Sequence, residues 1–146
     1  MQNLQNSYVF NALAPQALAS TSELLGSALD LSQLGGLDTI VYYVSTNSIA
    51  GDVTVAIKES ATTGGTYTAI TGATVTLVAS NAGTAMISVK LGGSRLGFQK
   101  ISLTAASATS RQVSALAFGT NPSQGVNGTT EATRATNAGL LSRAVV

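Results

Sequence analysis

The sequence predicts an all-β fold, an antiparallel β-sandwich or jelly roll with extended N- and C-terminal segments. Three observations carry that expectation. Short runs of alternating apolar and polar residues recur between residues 39 and 118, as in VTVAIKES. Breaks rich in Gly, Asn and Ser separate them at a strand-to-strand spacing of about 8–12 residues, the rhythm of sandwiches and jelly rolls. No run of strand character alternates with a helical one, which argues against a parallel α/β sheet.

The elements follow in order. Residues 1–17 form an N-terminal segment in which Tyr8, Val9 and Phe10 make an apolar cluster. This cluster fits either a first strand of the sandwich or a contact with a partner. In residues 20–34, Ser20 and Glu23 have the spacing of a helix capping box, and ELLGSALDLSQL can continue as a short helix. Gly26 weakens a helix, and SALDL fits equally well as a strand leading to a turn at Gly35 and Gly36. TIVYYVS is a strand with Ile40, Tyr42 and Val44 on one face; its adjacent Tyr42 and Tyr43 point to opposite sides. DVTVAIKES puts Val53, Val55 and Ile57 inward and Thr54, Lys58 and Ser60 outward. TTGG and LGGS read as turns in which glycine supplies positive φ, with Tyr67 covering a sheet edge after the first. TYTAI, TVTLVA, TAMISVK, GFQKISLT and QVSALAF complete the series, with Met86 or Ile87 setting the inward face of TAMISVK. The body is expected over residues 18–119 and a C-terminal arm over 120–146. The arm is polar and turn-rich until Leu140, Leu141, Val145 and Val146. It reads either as a frayed tail or as an arm that docks on a neighbouring subunit.

Composition narrows the function. Only 9% of the 146 residues are charged, against about 25% in a typical domain. Ser, Thr, Asn, Gln and Gly must therefore cover the surface. A β-rich surface with so little charge suits a protein that stays bound to something. With a net charge of +1 and scattered Lys and Arg, no field steers a polyanion, so nucleic acid is not an expected partner. The absence of cysteine and histidine removes disulfides, thiolate nucleophiles, common zinc sites and histidine acid–base chemistry. Asp52 and Glu59 stand at opposite ends of one strand, roughly 23 Å apart at ~3.3 Å per residue, beyond the ~5–9.5 Å of a glycosidase pair. Glu59 is expected in a solvated cross-strand contact. Neither glycine run has the spacing of a phosphate-binding loop, and no calcium-binding run of carboxylates occurs. The expectation is a non-enzyme with no cofactor, metal or small-molecule substrate. No basic n-region precedes the first apolar residues, and no apolar run reaches the ~18 residues that cross a bilayer, so no membrane association is expected. A sugar-binding module remains an alternative, though it lacks tryptophan for ring stacking.

One stretch carries more. In VTVAIKESATTGGTYTAITGA a strand ends in Glu-Ser, a polar turn follows, and Tyr67 opens the return strand. STSELLGSALDLSQLGGLDTIVYYVST precedes it, with an Asp-bearing strand and a Gly-rich turn leading to a Val- and Tyr-rich strand. SVKLGGSRLGFQKISLTAAS follows, with Phe98 and Lys100 ahead of an alternating strand, and QVSALAFG closes the set. Over residues 18–119 the chain resembles the jelly-roll capsid cement, or decoration, proteins of tailed bacteriophages. It departs from them in having TTGG where an Asp-Asp-Gly type of turn is commoner, and in its C-terminal arm. The resemblance implies a structural virion protein on the capsid exterior, assembled in the host cytoplasm. It also implies a homotrimer that binds the major capsid protein, bridges capsomers and stabilises the lattice by many weak contacts. The partner-binding candidates are Tyr8, Val9, Phe10, Leu140, Leu141, Val145 and Val146. Other phage structural roles, as a head fibre, tail or connector protein, share the same composition.

Overall fold

A computed structural model describes residues 8–34, 37–47, 51–78, 83–92, 95–120 and 142–145. The strands are β1 (Tyr8–Leu18), β2 (Leu24–Leu25), β3 (Leu29–Asp30), β4 (Thr39–Thr46), β5 (Val53–Ser60), β6 (Thr68–Leu77), β7 (Thr84–Lys90), β8 (Phe98–Ala105), β9 (Arg111–Thr120) and β10 (Ser142–Val145). They form two sheets: sheet A in the order β1-β9-β4-β7-β10, and sheet B in the order β2-β8-β5-β6 with β3 also paired to β8. All pairs are antiparallel except β10, which lies parallel to β7.

The topology is that of a long hairpin rolled up. At its tip β5 pairs with β6; then β4 pairs with β7, the split strand β2/β3 with β8, and β1 with β9. Successive pairs fall in alternate sheets, and the contacts β4·β9 and β5·β8 close each sheet. This is the jelly-roll order, built from the alternating strands that the sequence predicts.

Side-chain alternation places the core. Ile40, Tyr42 and Val44 of β4, and Val53, Val55 and Ile57 of β5, are buried between the sheets. Ala85, Ile87 and Val89 settle the inward face of β7, leaving Met86 outward. Ile101 and Leu103 of β8 and Val113, Ala115 and Ala117 of β9 complete the centre. Ala117 lies directly across from Tyr42, a small residue beside the largest buried one. Each buried Val, Leu or Ile side chain contributes about 1.5–3 kcal/mol.

Residues 20–34 take the extended alternative. The Ser20 hydroxyl accepts from Ser22 N at 3.0 Å in a local turn instead of capping a helix, and Glu23 reaches across to Ser102 and Lys58. Gly26 sits where the sheets meet: its N–H donates to Ile101 O at 2.8 Å, and Ser27 N donates to Ala12 O at 2.9 Å. A single 3-10 turn, Leu31–Gln33, follows β3, with Asp30 accepting from Ser32 N at 2.9 Å. The expected turn at Gly35 and Gly36 lies outside the described residues.

Two other details differ from expectation. Ser60 keeps its outward register but is buried, because the turn that follows lies against its hydroxyl, which accepts from Thr62 N at 3.3 Å. That turn closes through Gly65 N to Thr62 O at 3.1 Å, yet neither Gly64 nor Gly65 has positive φ. Gly65 answers a space requirement instead, since a Cβ there would stand 2.5 Å from Ser60 Oγ. Positive φ falls at Gly72 (83°), inside the bulge that shifts the register of β6 against β5.

Candidate functional site: the outer face of sheet A

Three of the carboxylates, Glu23, Asp30 and Glu59, are engaged structurally. Glu23 meets the Lys58 ammonium and the Ser102 hydroxyl, which together hold its carboxyl below the ordinary range. Hydrogen bonds from the Ser32 hydroxyl and N–H do the same for Asp30. Glu59 accepts from Leu96 N at 3.2 Å and lies 3.5 Å from Arg95 Nη1. Its side chain is only 14% exposed, so it braces the loop before β8 and is not the solvated cross-strand contact expected. Among the described residues no group of three His, Cys, Asp or Glu could hold a metal, and no helix is long and apolar enough to cross a membrane.

The two outward faces differ in their central rows. On sheet B, register aligns Thr76, Thr54 and Thr104 in one row and Thr74, Ala56 and Ser102 in the next. Lys58 and Lys100 form a third row, with the Lys100 ammonium 4.5 Å from the centroid of the Tyr67 ring. Tyr67 thus lies over the outer face of sheet B, its hydroxyl donating to Thr63 O at 3.0 Å. These rows are polar, and the face also carries Leu25, the register partner of Ser102, and Val78 after β6, both about as exposed as Leu116.

On sheet A two central rows are mainly apolar. Val9, Phe118, Val41 and Ser88 are successive cross-strand partners, and beside them run Asn11, Leu116, Tyr43 and Met86. Val9 is 58% exposed and Leu116 40%. Phe118, Val41, Tyr43 and Met86 are half-buried. In the middle of the sheet Val41 and Tyr43 of β4 and Leu116 and Phe118 of β9 give an outward apolar band, while Ser45, Ser114 and Gln112 toward one end are polar.

Of the residues singled out from sequence, Tyr8, Val9 and Phe10 lie in β1 as the first strand of the sandwich. Tyr8 and Phe10 turn inward and pack on the core, and only Val9 faces out. Val145 belongs to β10, where its backbone pairs with Ser88; Leu140, Leu141 and Val146 lie outside the described residues. Val145, the described member of the C-terminal group, is not brought to the N-terminal one. β1 and β10 are opposite edges of sheet A, four strand spacings or about 19 Å apart. What they share is the face between them. Its centre, Val41, Tyr43, Met86, Leu116 and Phe118, was missed from sequence. The available signal was TIVYYVS itself, which is apolar on both of its sides.

Compared with known proteins, the chain matches no family model, no curated protein and no solved structure.

Proposed function

We propose that this protein is a structural virion component, a capsid cement or decoration protein that binds the exterior of a tailed-phage capsid and stabilises its lattice. It works by shape and surface contact, not by making bonds, and needs no cofactor. The observation that carries the reading is the pairing of a jelly-roll sandwich with an apolar band, Val9, Val41, Tyr43, Met86, Leu116 and Phe118, on the outer face of one sheet. Such a face, on a chain whose Glu23, Asp30 and Glu59 serve as struts, suits a subunit that lives inside an assembly. The resemblance of residues 18–119 to jelly-roll cement proteins supplies the kind of assembly: a homotrimer on the major capsid protein, held by several weak contacts at once.

A sugar-binding role has less support. Tyr67 is the tyrosine on the polar face, and its ring already carries the Lys100 ammonium. A head-fibre, tail or connector role differs from the cement reading mainly in stoichiometry. The test is co-sedimentation of the purified chain with expanded, DNA-free tailed-phage capsids stripped of their decoration. The chain should pellet with them and raise their disruption temperature. Failure on both counts rejects the reading.

A further inference from the structure

We propose that the C-terminal strand β10 is a releasable latch. It covers the regular strand edge that β7 would otherwise present, and it opens as a unit while β1 to β9 stay folded. The device stands whether or not the protein decorates a capsid.

β7 is the edge that needs a cover. It pairs with β4 over 7 residues without a register shift, and Ile87 and Val89 favour the extended chain. The other described edges carry their own protection. β1 holds Pro15 and two register shifts, β6 is shifted against β5, and β2 is 2 residues long. The bonds flanking β7 show which of its backbone groups are free for β10. Leu91 N donates to Asp38 O at 2.7 Å and Thr46 N to Gly83 O at 2.9 Å, so odd-numbered residues turn their N–H and C=O groups toward β4. Those of Met86 and Ser88 point the other way, to β10. In the parallel register Arg143 lies beside Met86 and Val145 beside Ser88. Ala144 is thereby placed to donate its N–H to Met86 O and to accept from Ser88 N.

The hold is slight. β10 has 4 residues and pairs on one side only, so the bonds it gains barely offset the entropy of ordering it. Its pairing is parallel, the slightly weaker kind. Residues 121–141 join it to β9, and a chain of that length reaches roughly 70 Å when extended. The register puts Thr120 and Ser142 only about 20 Å apart across sheet A, so β10 can leave without pulling on β9. β6 and β7 also meet directly, which joins the two sheets on this side without β10. Ser88 adds a cost to the closed state. It stands in register between Val41 and Val145 on the outward side of β7, yet it is 1% exposed and its hydroxyl has no hydrogen-bond partner. Closing over such a hydroxyl is unfavourable, and opening returns it to water.

The test is amide hydrogen exchange on the full chain, read residue by residue and corrected for intrinsic rates. Met86 and Ser88, which face β10, should be protected, yet exchange about tenfold faster than Ile87 and Val89, which face β4. Low denaturant should not change the faster pair, because local opening exposes little surface. Ala144→Pro removes the central donor of the latch. It should speed Met86 and Ser88 further and leave Ile87, Val89 and the melting temperature unchanged. Ser88→Ala deletes the unsatisfied hydroxyl and should slow Met86 about threefold. One common rate for all four amides in the wild-type chain makes β10 an integral strand and overturns the proposal. So does an Ala144→Pro chain in which all four accelerate together. Unprotected rates at Met86 and Ser88 in the wild-type chain mean an edge that is never covered, and rates there that ignore both substitutions mean a cover other than β10; either overturns the latch.

Discussion

The Tyr42 hydroxyl donates a 3.0 Å hydrogen bond to Gln99 Oε1 through the middle of the sandwich, from β4 of one sheet to β8 of the other. Both side chains are fully buried. A polar pair in an otherwise aliphatic core fixes the two sheets relative to each other, because the bond forms in only one lateral arrangement.

Removing one partner should therefore cost more than removing both. Tyr42→Phe strands the Gln99 acceptor without water, at about 1–3 kcal/mol. Adding Gln99→Leu to that variant should restore much of the loss. Denaturant midpoints of the single and double variants check this; a Tyr42→Phe midpoint equal to wild type would remove the bond from the account.

The same burial has a signature in pH. Desolvation pushes the Tyr42 phenol above the ordinary tyrosine range, so the folded chain keeps it neutral where the unfolded chain begins to ionise. Its contribution is fully present below the unfolded value of about 10 and is lost as pH rises beyond it. Wild-type stability should fall more steeply than that of Tyr42→Phe above that pH. Parallel curves would contradict it.

Gly26 is required by space, not by φ. A Cβ there would stand 2.1 Å from Ala12 O and 2.7 Å from Ile101 Cγ2, and the first of these is backbone held by Ser27 N. Gly26→Ala should destabilise by about 1–3 kcal/mol, the cost of overpacking a tight site, and should loosen the corner that joins β1 to β8. Thermal melting reads the first effect, and faster amide exchange at Ser27 reads the second.

That contact also marks what the sequence could and could not disclose. Period-two alternation made β4, β5, β7, β8 and β9 legible as strands and showed which residues of β4 and β5 face the core, because a strand's sides are set locally, while the face of β7 stayed open between Met86 and Ile87. Gly26 registered only as a weak helix residue. Its reason is an approach by Ala12 and Ile101, which are remote in sequence. Strand order was likewise out of reach, since nothing local in β1 specifies pairing with β9. The outer face of sheet A was half legible. TIVYYVS shows that β4 is apolar on both sides, but register is needed to align Val9, Phe118 and Val41 in one row.

Acid should weaken the tie at Glu23. The Lys58 ammonium and then the Ser102 hydroxyl hold its carboxyl below the ordinary value of 4.5. With the folded value depressed, its contribution is present above 4.5 and disappears as pH falls through the folded value. The side chain is 36% exposed, so solvent screening limits the effect to under about 1 kcal/mol. Glu23→Gln should be less stable than wild type at neutral pH and equal to it in acid. A gap of constant size across that range would show that the charge is not responsible.

Lys58 and Lys100 are direct cross-strand partners on β5 and β8, an arrangement that repels unless each ammonium has its own counterpart. Glu23 serves Lys58, and the Tyr67 ring, 4.5 Å away, serves Lys100. Tyr67→Ala should then cost about 1 kcal/mol through the lost cation–π contact. Tyr67→Phe, which keeps the ring and loses only an exposed bond to Thr63 O, should cost much less. In a Lys100→Thr background the Tyr67→Ala penalty should shrink, because the cation of that contact has gone. High salt should shrink it in the wild-type background too, by screening Lys58 from Lys100. A penalty that is indifferent to both salt and Lys100→Thr would mean that Tyr67 acts by packing alone.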